Sequence, residues 1–275
     1  MTLRIRTLEL AAWDFDNYEF RPEAFDRNKL VKARELVGQR QSYRNASALR
    51  VDETILLRDT LERQLSRSDL QAEMVGLDWY LGMVDLRRLL AFQRRLSFNP
   101  TLPSMPVPRQ DDWESLMDIA FAPPNPVRCD IVHNADSNSV ILRSNNPNLH
   151  LRVSKDPSEL IVVHAGSPFV EVAYYANRWF LRDGYHRAYT LLCSGISLLP
   201  AVIVNAKSLE ELGAVKTRFF SEAILFADHP PFVTDFLDDA LTIEYARPPT
   251  IKTLRLTIEE IITTATFTEI SGEQA

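Results

Sequence analysis

Trp179-Phe180-Leu181-Arg182-Asp183-Gly184-Tyr185-His186-Arg187-Ala188-Tyr189-Thr190-Leu191-Leu192 reads as a strand, a tight turn around a glycine, and the start of a helix. The first N–H groups of a helix have no intrahelical partner, and the helix dipole is positive there. Such an end receives phosphate readily. His186 and Arg187 fall in the first turn, where a cation is unfavourable unless an anion offsets it. Asp183, the expected N-cap, is the only acid before the helix ends. Two readings fit these residues. In one, Asp183, Gly184, Tyr185, His186 and Arg187 form a phosphate site. In the other, Asp183 caps, Gly184 serves the turn, and His186 and Arg187 are merely solvated.

Working outward, Phe169 to Tyr175 and Arg178 to Arg182 flank Ala176-Asn177 as a hairpin, and Gly195 is placed to end the helix. Leu199 to Asn205 follows as a strand, then Ser208 with Glu211 as a capping box. Further upstream, Ser139 to Arg143 and His150 to Val153 flank Asn145-Asn146-Pro147-Asn148 as another hairpin, and Leu160 to His164 is a short strand. Residues 98–127 hold 7 of the 16 prolines, which cannot form one continuous helix, and only Asp111 to Phe121 reads as helical. Residues 1–97 read as helices at Glu23 to Leu36, at Asp52 to Leu65, and after Ser66 or Ser68. A further helix is expected over Leu77 to Leu96, from Trp79, Met83, Leu86 and Leu90. Arg87-Arg88 and Arg94-Arg95 are expected on its solvated face. The expected class is therefore α+β: a mainly helical region (1–97), a proline-rich connection (98–127), a mixed-sheet domain (128–226) and an acidic extension (227–275).

The order of elements from residue 169 to 206 resembles the ParB/sulfiredoxin superfamily, often labelled a ParB-like nuclease domain. There a strand enters a Gly-x-His-Arg turn, a helix stops at Gly-Ile or Gly-Leu, and a Pro-led strand follows; here these are Gly184 to Arg187, Gly195-Ile196 and Leu199 to Val204. Glu171-Val172 before a hairpin resembles the acidic residue and valine that precede the sulfiredoxin motif. The resemblance implies a nucleotide ligand, ATP or CTP, with or without Mg2+. Free-serine kinases of the superfamily pair a similar Asp-Gly-x-His-Arg with a catalytic glutamate, for which Glu171 is the candidate here, with His186 to orient or protonate. Tyr185 stands where sulfiredoxins carry the reacting cysteine, and Cys193 lies two turns further on, so sulfinic-acid reduction is not expected.

Composition narrows the alternatives. The net charge of -6 is uneven: residues 208–275 carry 5 basic and 12 acidic residues, a balance of -7, leaving +1 for residues 1–207. Tight sequence-specific DNA binding is not expected from this distribution. Two distant cysteines fit a reduced, cytoplasmic compartment, and no apolar run is long enough for a membrane helix. His133, His150, His164 and His229 show no metal-ligand spacing, so no metal site is expected from them. Two classes of function remain: a nucleotide-binding phosphotransferase or hydrolase, and a non-catalytic nucleotide-sensing or nucleic-acid-associated module whose N-terminal helices bind a protein partner. A nuclease is a third, without a compact acidic cluster to support it.

Overall fold

The computed structural model describes residues 3–22, 27–101, 105–153, 160–215 and 218–262. The chain forms two compact units, Met1–Asn125 with Gly166–Pro249, and Pro126–Ala165 with Thr250–Ala275. The first unit begins with β1 (Ile5–Leu10), α1 (Arg27–Gly38), β2 (Leu49–Arg50), α2 (Val51–Leu56), α3 (Arg58–Leu65) and α4 (Ser68–Glu73). It continues with β3 (Trp79–Asp85), β4 (Leu90–Ala91), β5 (Arg95–Phe98) and α5 (Trp113–Ala120). The second unit takes β6 (Asp130–Asn134), β7 (Ser139–Ser144), β8 (His150–Val153) and β9 (Ile161–His164). The chain returns to the first unit as β10 (Glu171–Tyr175), β11 (Arg178–Asp183), α6 (Tyr185–Cys193), β12 (Leu198–Asn205), α7 (Leu209–Leu212), α8 (Glu222–Leu225) and β13 (Thr242–Arg247), and β14 (Lys252–Thr257) completes the second. The fold is α+β, with mixed sheets.

In the first unit a six-stranded sheet runs in the order β2-β3-β12-β10-β11-β4. β10 and β11 are the expected antiparallel hairpin, and β12 lies parallel to β10. The turn Ala176-Asn177 has positive φ at both residues, 46° and 61°, the backbone twist that joins two tightly paired strands. β12 is buried along nearly its whole length. It tolerates Pro200 because its pairing to β10 starts only at Val202, so the missing N–H is not needed there. Helix α6 stops as expected: Gly195 takes φ +80°, and the amides of Ile196 and Gly195 reach the carbonyls of Leu191 and Leu192 (2.9 and 3.0 Å), a Schellman ending.

Several expectations need correction. The stripe from Trp79 to Leu90 is not a helix. It is β3, a 3-10 turn at Leu86–Arg88, and β4. β3 is hydrogen-bonded on both edges and mostly buried, and a short strand buried on both faces carries a continuous apolar run that periodicity cannot tell from a helix. Gly82 supports this packing, since a Cβ there would lie 2.9 Å from Leu49 Cδ1 and 3.0 Å from Ile203 Cδ1. The arginines of that run are not one solvated face. Arg87 chelates buried Asp85 through Nε and Nη2 (2.9 and 2.8 Å). Arg94 is buried beneath the Phe219 and Asp14 carbonyls, and Arg95 joins Glu9 and Asp16. The 52–65 helix is broken at Leu57 into α2 and α3, and the start of the 23–36 helix lies outside the described residues. In the second unit, β7 pairs with β6 and β14, and β8 pairs with β9, rather than β7 with β8.

The expected 128–226 block is divided between the two units, and the described part of the acidic stretch, 227–262, is part of both rather than an appendage. Val233, Phe236, Leu241 and Ile243 belong to the core of the first unit, and β13 pairs along all of β1. Asp235, itself buried, takes both guanidinium ends of Arg40 (3.0 and 2.6 Å) and the Phe232 amide (2.8 Å). Removing one partner of a buried pair leaves the other uncompensated. Arg40→Ala, which strands the buried Asp235 carboxylate, is therefore expected to cost about 3 kcal/mol, a fall of roughly 6–12 °C in melting midpoint. Asp239→Ala, at an exposed position, is expected to change it little. Differential scanning calorimetry of the two variants checks this.

Candidate functional site

Glu171, Asp183, Gly184, Tyr185, His186 and Arg187 all lie where β10 begins, β11 ends and α6 starts, in the first unit. Glu171 and Asp183 are cross-strand partners, next to a bulge that shifts the register between Glu171 and Val172. Gly184, not Asp183, is the N-cap of α6, with φ +94°. A side chain there would meet Val170 Cγ2 at 3.0 Å and the Arg187 guanidinium at 3.4 Å. Glycine is required on both counts. The Asp183 carboxylate instead accepts from the Gly184 amide next to it (2.5 Å). No side chain caps α6 and no acid lies in its first turn, so its leading amides keep their affinity for an anion.

The carboxylates differ in surroundings. Glu171 is 2% exposed. Its Oε2 accepts from Arg182, while Oε1 is buried with no hydrogen-bond partner. A buried carboxylate oxygen left bare costs free energy unless a proton, a cation or a donor comes to it. Asp183 keeps nearly half its side chain accessible (47%), yet its carboxyl is raised to about 7. Burial within the fold is the main cause, Glu171 adds to it, and Arg187, the Gly184 amide and Arg182 oppose.

The first turn of α6 divides into core and surface. Tyr185 points inward: it is 4% exposed, and its hydroxyl accepts from the Phe92 and Gln93 amides (3.0 and 3.3 Å). Its side chain ties α6 to the segment after β4, so Tyr185 has only its backbone amide to offer a ligand at the helix start. His186 is exposed. Its Nε2 lies 2.9 Å from the Ser97 carbonyl, which can only accept, so the proton sits on Nε2 and the neutral ring carries its lone pair on Nδ1. Although the side chain is exposed, the protein packed around the ring, with Arg187 adding to it, disfavours the imidazolium, and the Ser97 carbonyl opposes that shift. Neutral His186 can accept a proton at Nδ1.

Arg187 corrects the sequence reading most. Instead of an open fork for two phosphate oxygens, Nη1 donates to the carbonyls of Ile119 (3.2 Å) and Pro168, and Nη2 to Phe169 (2.5 Å). The end of α5 and the approach to β10 are thereby fastened to α6. Its Asp183 contact is long, 4.0 Å. Arg182 serves a similar framing role, donating to Glu211 (3.0 Å) and Glu171.

Elsewhere in the first unit, a recess of about 410 Å3 lies by the β10–β11 turn, lined by Asp78, Tyr174, Asn177, Asn205 and Lys207 among others. It is at the opposite end of the hairpin from Glu171 and Asp183. Among the described residues no three His, Cys, Asp or Glu side chains gather as a metal centre, and no helix is long and apolar enough to cross a membrane.

Comparison with family models, curated proteins and solved structures finds no match to this chain. The geometry therefore carries the assignment. Its first consequence concerns Arg187. Arg187→Ala strips three carbonyls of a charged donor and is expected to cost about 3 kcal/mol, or roughly 6–12 °C in melting midpoint. Arg187→Lys is expected to recover little, because an ammonium cannot span all three acceptors. Thermal melts of both variants check this; unchanged midpoints would mean that the carbonyls do not depend on Arg187.

Proposed function

We propose that this chain binds a nucleotide, ATP or CTP, by its phosphates at the start of α6, and that phosphoryl transfer or nucleotide hydrolysis is the chemistry open to the site. One observation carries the proposal: an uncapped helix start, free of acids in its first turn, adjoins a carboxylate pair that is itself incompletely satisfied. The resemblance of residues 169–206 to the ParB/sulfiredoxin superfamily supports the same reading. The amides of Tyr185, His186 and Arg187, which follow the Gly184 amide already taken by Asp183, hold phosphate; Arg187 fixes the turn and adds positive charge, and His186 orients the ligand or moves a proton at Nδ1. Glu171 or Asp183 serves as base or as cation ligand. Mg2+ is commonly held by one or two carboxylates together with the phosphates of its nucleotide, and the bare Glu171 Oε1 fits that demand. When bound, the ion neutralises phosphate charge. Exposed Val31, Leu36, Val51, Ile55 and Leu56 on α1 and α2 support a protein partner at the N-terminal helices. A cytoplasmic site of action belongs to the same proposal.

The carboxylates set the conditions for binding. Arg182 already offsets the charge on Glu171, so an ionised Asp183 is what repels phosphate unless it takes up a proton or a cation. The Asp183 carboxyl is pushed up to about 7, so its ionisation with rising pH brings a negative charge next to the anion. Without divalent cations, affinity is therefore expected to fall by up to about tenfold between pH 6 and pH 8. Mg2+ is expected to restore it, and Asp183→Asn to flatten the pH dependence. Titration calorimetry with ATP and CTP tests the set, with sulfate as a probe that does not itself titrate in this range. No heat at millimolar nucleotide, with or without Mg2+, would refute the proposal.

A further inference from the structure

Beside the start of α6 lies an aromatic group of which the phosphate reading uses only His186. Phe98 on β5 meets the His186 ring edge-on at 5.3 Å and the Tyr189 ring at 5.2 Å. Arg6, the cross-strand partner of Phe98 on β1, lies over the Phe98 ring at 5.1 Å. Glu244 holds the Arg6 guanidinium (2.9 Å), and the Tyr189 hydroxyl lies near it. The group is not core: His186 is exposed, Phe98 and Tyr189 are half-buried, and 46% of the Arg6 side chain reaches solvent. His186 and Tyr189 are three residues apart, so both project from one face of α6 within a turn of its start, about 5 Å along the axis. That is roughly the span of the sugar between a nucleotide's phosphate and its base.

We propose that Phe98, His186, Tyr189 and Arg6 form the seat of a nucleobase whose phosphates occupy the α6 start. The proposal rests on the phosphate reading of that helix end and names the part of the ligand that the phosphate reading leaves undefined. Aromatic rings and a guanidinium plane offer stacking and cation–π contact to any planar heterocycle. The Glu244 contact holds the guanidinium in place before a ligand arrives, which limits the ordering cost of binding.

The test compares tripolyphosphate with ATP and CTP, each with Mg2+, on the full chain by titration calorimetry. The nucleotides are expected to bind about tenfold or more tightly than tripolyphosphate, in line with the effect of one stacked base. Phe98→Leu and, independently, Tyr189→Leu are expected to bring nucleotide affinity down to that of tripolyphosphate and to leave tripolyphosphate binding unchanged. Equal affinities for nucleotide and tripolyphosphate in the unaltered chain would overturn the base seat while leaving the phosphate site standing. So would equal losses for both ligands in the variants. Absence of binding by tripolyphosphate and nucleotides alike would overturn both. The comparison in the unaltered chain decides the question even if one variant fails to fold.

Discussion

Three backbone carbonyls, those of Ile119, Pro168 and Phe169, converge on one guanidinium, Arg187. Carbonyls at the end of a helix and at the entrance to a strand need partners when they are drawn into a fold, and one planar cation here answers for all three. The arrangement fixes where α6 starts relative to α5 and β10. It thereby fixes where the Glu171–Asp183 pair stands relative to the first amides of α6. Tyr185 adds a second tether from the other side of the turn, through the Phe92 and Gln93 amides. Between these two anchors the helix start is held without any side chain capping it.

This construction accounts for the unfavourable position of Arg187 in sequence. A cation in the first turn opposes the helix dipole by roughly 0.3–1 kcal/mol. Bonds from a charged donor to carbonyls, at about 1.5–3 kcal/mol each, outweigh that. Fastening the turn is reason enough to keep arginine there, and no anion is needed to explain it. The burden of the ligand argument therefore shifts to groups the frame leaves unsatisfied: the open amides of α6, the Glu171 oxygen without a donor, and the Asp183 carboxyl held near neutrality.

The parts legible in the sequence were those encoded locally. The hairpin around Ala176-Asn177, the glycine stop at Gly195 and the strand before Asn205 each depend on a few neighbouring residues, and each is present. Ser208 likewise caps its helix through the Glu211 amide, although the Glu211 side chain reaches the Lys207 amide instead of Ser208. What failed depended on distant partners. β3 is a strand because β2 and β12 flank it, and nothing within Trp79–Asp85 announces those neighbours. β7 finds β14 more than a hundred residues away. His150 and His164, with no suggestive spacing, face each other across β8 and β9. At the site, the clustering of Glu171 with Asp183 followed from the hairpin register, but the engagement of Arg187 by carbonyls from residues 119 to 169 did not. The approach of Arg6 and Phe98 to His186 and Tyr189 likewise required knowing that β1 and β5 run beside α6.

The central claim is that the first amides of α6 receive phosphate. Amide-resolved NMR of the isotope-labelled chain during titration with Mg2+-nucleotide tests it without reference to turnover. Phosphate at the helix start is expected to give saturable shifts at Gly184, Tyr185, His186 and Arg187, with smaller changes spreading along α6. Silence at those four amides up to millimolar ligand would contradict it, as would shifts confined to the recess around Asn177, Asn205 and Lys207.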